Sequence, residues 1–208
     1  MSQGPRRVGL VGGVGILVVL CGGLAYSLAS PGDLLESSLL RRMPLGLNTE
    51  FSIPAVFSAI LLLSAAALAH LASRAYPPRP SVALRLVSAL FAFMGIDELL
   101  VIHEGLENLT NQSWQTLYAP LVVLGGIAWL ISLAQLRTVP LAPWSFVAGA
   151  AAWVVSQVFE LQQYDDEVLV ARWMVLPEEA LEMVGSLLFV LALLLGVQAW
   201  VARSESDV

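Results

Sequence analysis

Residues Glu178–Val201 read EEALEMVGSLLFVLALLLGVQAWV, acids at the front and then an apolar run to the end. A helix rises 1.5 Å per residue, so about 20 apolar residues cross the hydrocarbon core of a bilayer. This stretch is long enough, and it sets the scale for the rest of the chain. Five further runs qualify: approximately residues 8–29, 54–73, 81–102, 119–136 and 143–162. Prolines stand near the start of each span, at Pro5, Pro54, Pro80, Pro120, Pro143 and Pro177. A helix tolerates proline best in its first turn, where no backbone bond is lost. The reading is an all-α polytopic bundle of about six transmembrane helices, a single integral membrane domain over residues 1–208.

Composition agrees. Of 208 residues, 58% are hydrophobic and only 12% charged. Soluble domains carry about a quarter charged residues, so a water-facing surface cannot be built here. Disorder needs the opposite balance. Nucleic acid is excluded as a partner, because the net charge is −6, lysine is absent and no basic stripe exists. The single cysteine, Cys21, excludes a disulfide framework and a cysteine-based zinc site. The first span is read as an uncleaved anchor, its apolar run exceeding the usual 7–15 residues of a signal core. Glycines 12, 13, 15, 22 and 23 within it permit close helix contact.

Orientation follows the arginines. With the N-terminus inside, Arg6, Arg7, Arg74, Arg79, Arg85, Arg137 and Arg203 are cytoplasmic, and only Arg41, Arg42 and Arg172 face out. Both termini are therefore expected in the cytoplasm. Of 16 acids, only Glu205 and Asp207 then fall inside. The connection Ser30–Ile53 mixes leucines with charge and reads as an amphipathic helix on the exoplasmic surface; Tyr164–Leu176 is given the same reading.

Three segments gather polar chemistry at that outer face: GIDELLVIHEGLENL at 95–109, SQVFELQQYDDE at 156–167, and PEEALEMVG at 177–185. If one helix runs through the first, Asp97, His103, Glu104, Glu107 and Asn108 share an arc of about 140°, with Glu98 to the other side. Glu178, Glu179 and Glu182 span about 100° of the last helix, and Gln157 and Glu160 are i, i+3 neighbours. Carboxylate faces plus one imidazole form the ligand type that helical bundles use for metals. Buried acids repel one another, and shared protons, a watery vestibule or bound cations would relieve them. A histidine among them points to the cation. The candidate metal ligands are Asp97, Glu98, His103, Glu104, Glu160, Glu179 and Glu182. Such oxygen-rich ligands suit iron, manganese or zinc better than copper.

Each residue also has a plainer role. Acids after Pro177 complement a helix dipole, Asp165-Asp166-Glu167 suits a solvated loop, and His103 suits an interface. His70 lies a membrane thickness from His103 and is read as snorkelling at the cytoplasmic surface. Asn108 and Asn111 match the glycosylation acceptor pattern. Trp114, Tyr118, Trp153, Trp173 and Trp200 are read mostly as belt aromatics.

The DE…HE block at 97–104 and the EExxEMxG block at 178–185 resemble a pattern in uncharacterised bacterial multi-pass membrane proteins, a likeness covering spans three to six. It groups Asp97, Glu98, His103, Glu104, Glu179 and Glu182 as a unit and implies a bacterial inner-membrane location, without supplying a reaction. Two histidines are too few for a ceramidase-type zinc site, and the likeness to ferritin-like Glu-x-x-His sites is chemical only. Three functions compete. The first is a metal site, with possible enzyme action on a lipid-soluble substrate reaching it from the outer leaflet. The second is a non-catalytic accessory subunit of a larger membrane complex. The third, a cation or proton transporter, is weaker because these acids are shallow.

Overall fold

A computed structural model describes residues 3–29, 53–74, 78–165, 168–169 and 174–206. The described residues are helical apart from short connections and one antiparallel pair of two-residue strands. The elements in order are α1 (Gln3–Ala29), α2 (Ile53–Ser73), α3 (Pro78–Leu100), α4 (Ile102–Thr110), α5 (Trp114–Leu136), α6 (Ala142–Gln163), β1 (Tyr164–Asp165), β2 (Val168–Leu169) and α7 (Val175–Ser206). Four helices are long and apolar enough to cross a membrane: α2, α5, α6 and α7. A fifth span is reached if α3 and α4, bent by 77° at Val101, count as one. In α1 the apolar stretch Arg7–Gly22 is shorter than these.

Five helices close a ring. α2 packs on α3, α3 on α5, α5 on α6, α6 on α7, and α7 returns to α2. α1 lies outside, antiparallel to α7, with Gly4 facing Gln198, Gly9 facing Leu191 and Gly12 facing Leu187. Lipid tails are as apolar as leucine, so helices associate through close packing rather than water exclusion. Small residues supply the closeness. α2 buries Ala59, Ala65, Ala66, Ala69 and Ala72. Between α6 and α7 the backbones nearly touch: a methyl group on Gly149 would stand 2.9 Å from the Gly185 carbonyl oxygen.

Aromatic rings fill the middle of the ring. Phe91 of α3 lies 4.7 Å from Phe189 of α7, Phe189 lies 5.5 Å from Phe146 of α6, and Phe146 stacks on Trp129 of α5 at 5.3 Å. Around them Leu62, Leu84, Val87, Met183 and Leu193 are buried. The helix directions sort charge to the two ends. Asp97 and Glu98 close α3, Glu104 and Glu107 lie on α4, Glu160 nears the end of α6, and Glu178, Glu179 and Glu182 open α7. Arg7, Arg74, Arg85, Arg137 and Arg203 lie at the opposite end.

The helix boundaries correct the sequence reading in four places. The third helix does not run through residue 102; it stops at Leu100, so His103, Glu104, Glu107 and Asn108 do not share a continuous wheel with Asp97. The fourth long helix begins at Trp114 rather than near 119, because the Glu107 carboxylate accepts the Trp114 amide at 2.6 Å and caps its first turn. Pro120 consequently lies inside that helix, not at its start. Within Tyr164–Leu176, expected as an amphipathic helix, the described residues instead begin with an antiparallel pair, Tyr164 opposite Leu169 and Asp165 opposite Val168; residues 166–167 and 170–173 lie outside the described residues. The amphipathic helix expected over 30–53 falls, apart from Ile53, outside the described residues.

Candidate functional site

The break between α3 and α4 builds the site. Val101 adopts φ 52° and ψ 43°, the left-handed region. For a β-branched residue that is an outlier, costing about 1–3 kcal/mol. The neighbouring bonds hold it there. Its amide still donates to the Asp97 carbonyl at 2.7 Å, ending α3, and Gly105 donates to the Val101 carbonyl at 3.3 Å, opening α4. The Asp97 side chain then fastens the new helix: Oδ1 accepts the His103 amide at 3.0 Å, and Oδ2 lies 3.0 Å from His103 Nδ1. Val101, the residue in the N-cap position, offers no capping side chain. Asp97 supplies the missing acceptor from the preceding helix, doing what an N-cap residue does.

A third donor completes the hub. Tyr118 of α5 donates its hydroxyl to Asp97 Oδ1 at 2.9 Å, and its ring meets Phe93 edge-on at 5.2 Å. Both Asp97 oxygens are thus engaged, and the residue positions its neighbours. A carboxylate only accepts, so His103 Nδ1 carries the proton and Nε2 of the neutral ring carries the lone pair. The His103 ring also lies 5.9 Å from Trp114. The α4 helix turns away from the spanning direction, and its His103 is pulled two ways. Burial disfavours the imidazolium; the Asp97 hydrogen bond and the charges of Asp97, Glu104 and Glu98 favour it. The second set wins, and His103 titrates above its usual 6.5.

Glu160 and Glu182 are held by partners of their own. Trp114 donates its indole Nε1 to Glu160 Oε1 at 3.0 Å, joining α5 to α6. Gln157 Nε2 donates to Glu182 Oε1 at 3.4 Å, joining α6 to α7. Glu98 stands among these acids: its charge is felt with those of Asp97, His103 and Glu160, and both Glu179 and Glu182 feel Glu98. Glu104 enters through its charge on His103. The structure therefore joins Asp97 and His103 directly, and links Glu98, Glu160, Glu179 and Glu182 by electrostatics across three helices. Among the described residues, no group of three or more His, Cys, Asp or Glu side chains is disposed to hold a metal ion. The donor set as arranged does not make a preformed metal centre.

Three residues of this network were read otherwise from the sequence. Trp114 and Tyr118, grouped there with the belt aromatics, donate hydrogen bonds to Glu160 and Asp97. Trp153 likewise points inward, its Nε1 bonded to Ser186 at 3.1 Å. Their spacing holds a signal: Trp114 and Tyr118 are i, i+4 on one helix and meet at 5.7 Å. At the other end, His70 is exposed and lies 3.2 Å from Arg74 Nη2.

The chain belongs to the family described as Domain of unknown function (DUF8692), whose profile matches residues 11–197 and so takes in every element of the site. Neither the curated proteins nor the solved structures contain a match.

Proposed function

We propose that the acidic end of the ring is an acid–base site working on a lipid-soluble substrate, with His103 exchanging the proton and Asp97 positioning it. The observation that carries this is the pair of bonds from Asp97 to His103, one to the backbone and one to Nδ1. Such a carboxylate fixes both the tautomer and the direction of an imidazole, leaving Nε2 to take or give a proton. An imidazole whose hydrogen-bonded carboxylate favours its charged form is suited to that task. The neighbouring acids Glu98, Glu160, Glu179 and Glu182 would hold protons or favour a positive charge on substrate or histidine. The apolar aromatic packing of Phe91, Phe146 and Phe189 beneath them weighs against a transmembrane ion path.

A divalent metal, iron, manganese or zinc, is the second reading. It is favoured by the same contact, since metal-bound histidines commonly donate their other nitrogen to a carboxylate. Holding a metal would require acids of this cluster to gather with His103, since no three such side chains are so disposed among the described residues.

The setting of the site belongs to this proposal: six spans with α1 as the first, both termini cytoplasmic, the acidic end exoplasmic, in a bacterial inner membrane. The distribution of arginines supports it. The test is lipid mass spectrometry on protein in nanodiscs containing a bacterial lipid extract. A product should form with the wild type and be absent with His103→Gln. Identical lipids from both proteins would overturn the catalytic reading and favour the accessory subunit.

A further inference from the structure

At the arginine-bearing end, the connection from α5 to α6 is short and tightly held. The Val139 amide donates to the Leu136 carbonyl at 2.9 Å, Leu141 takes a left-handed φ of 68°, and the Ser145 amide donates to the Leu141 carbonyl at 2.9 Å. Val139 and Ala142 are buried beneath it. This turn fixes the spacing of the two helices and leaves a shallow, open groove of about 460 Å³ between them on the outside of the ring. Leu130 and Ala134 form one wall, Pro143 and Val147 the other, and Arg137 and Trp144 stand at its mouth. From Arg137 back to Leu130 is seven residues, about 10 Å along a helix, most of the depth of one leaflet.

The lining chemistry changes with depth. The floor is aliphatic. The mouth has a guanidinium that is exposed and that no hydrogen bond or ion pair engages among the described residues. Beside it the Trp144 side chain is 76% exposed, an amphipathic ring of the kind that settles at headgroup level. His70 and Arg74 at the same end are taken up with each other, whereas Arg137 is not. An arginine matches a phosphate with two parallel hydrogen bonds, and basic pockets between transmembrane helices at a cytoplasmic surface select anionic headgroups.

We infer that the α5–α6 groove is a binding site for an anionic phospholipid, its phosphate on Arg137 and one acyl chain along Leu130 and Ala134. The apolar floor separates this ligand from free phosphate, which would gain nothing from it. The excess of arginine at this end (Arg7, Arg74, Arg85 and Arg203 beside Arg137) favours a headgroup with net negative charge over a zwitterion. The site lies at the opposite end from His103; it rests on the membrane orientation proposed above and not on the acid–base chemistry.

Native mass spectrometry of the full chain in detergent, titrated with phosphatidylglycerol, phosphatidylcholine or inorganic phosphate, tests it. The wild type should retain phosphatidylglycerol at least tenfold better than phosphatidylcholine. Arg137→Gln should lower that retention about tenfold, and Arg137→Lys should restore part of it. Ala134→Trp fills the groove from an exposed position and should abolish retention while leaving the melting temperature in place. Equal retention by the wild type and both Arg137→Gln and Ala134→Trp would overturn the site. Equal binding of the two lipids would overturn the anionic selectivity, and phosphate competing as well as lipid would show an anion site without a groove.

Discussion

His103 Nδ1 lies 3.0 Å from Asp97 Oδ2 although the two residues belong to helices that diverge by 77°. Continuous helix would have set them six positions apart, on faces well separated around the axis. The left-handed Val101 between them folds α4 back so that one carboxylate reaches both the backbone and the ring of His103. The same contact closes the helix break and orients the imidazole, so structure and proposed chemistry are coupled through Asp97.

Titration of His103 should report that coupling. Followed by nitrogen NMR on histidine-labelled protein, His103 should protonate with a midpoint above 6.5, because the Asp97 bond and the nearby acids outweigh the cost of burial. Asp97→Asn removes the charge and should bring the midpoint down. The sign for stability follows from linkage: a histidine raised in the folded state contributes stability that is fully present below about pH 6.5 and is lost as the pH rises through its folded midpoint. Wild type should therefore lose more stability than His103→Gln as the pH rises from about 6.5 through the folded midpoint. An unchanged midpoint in Asp97→Asn would remove Asp97 from its positioning role.

Asp97 should also matter to α4 as a capping residue. Asp97→Ala leaves the His103 amide without its acceptor and the strained Val101 without compensation, a loss of about 0.5–2 kcal/mol. The loss should be local. Hydrogen exchange should accelerate across Ile102–Gly105, with the Trp114–Leu136 helix little changed. Uniform acceleration throughout the ring would show that Asp97 supports the whole bundle instead.

Chelation separates the two readings of the acids. If protons and hydrogen bonds relieve their repulsion, as with Gln157 on Glu182, chelator should leave the melting temperature unchanged and Glu182→Gln should hold or raise it. If a metal holds the site, a hundredfold excess over its dissociation constant adds about 2.7 kcal/mol, and chelator should lower the melting temperature in wild type but not in Glu182→Gln. The absence of a preformed three-ligand group leads us to expect the first result.

Gly185 tests the packing that brings α6 and α7 acids to one depth. A methyl there would meet Trp153 Cδ1 at 2.6 Å and the Gly149 carbonyl oxygen at 2.9 Å. Backbone cannot give way as a side chain can, so Gly185→Ala should cost about 1–3 kcal/mol in unfolding from mixed micelles. Gly13 meets nothing within 4 Å, and Gly13→Ala should be neutral. Equal effects at both positions would mean that the α6–α7 contact is looser than described.

The sequence by itself determined the class of this protein and the sorting of its charge. Both are local properties: apolar run length decides whether a segment can span, and an antiparallel chain carries each residue to a known end. The acids at 97–107, 160 and 178–182 were legible for that reason. Their partners were not. Trp114 and Tyr118 looked like interfacial aromatics, because nothing in a linear chain records that an indole on α5 reaches Glu160 on α6 or that a phenol reaches Asp97. The break at Val101 was equally hidden: no glycine or proline marks it, and every residue around it is compatible with continued helix. Only the tertiary structure decided it, because the left-handed conformation is tolerated when Asp97 accepts the His103 amide that the break exposes and Tyr118, brought to Asp97 by helix packing, holds that carboxylate in place.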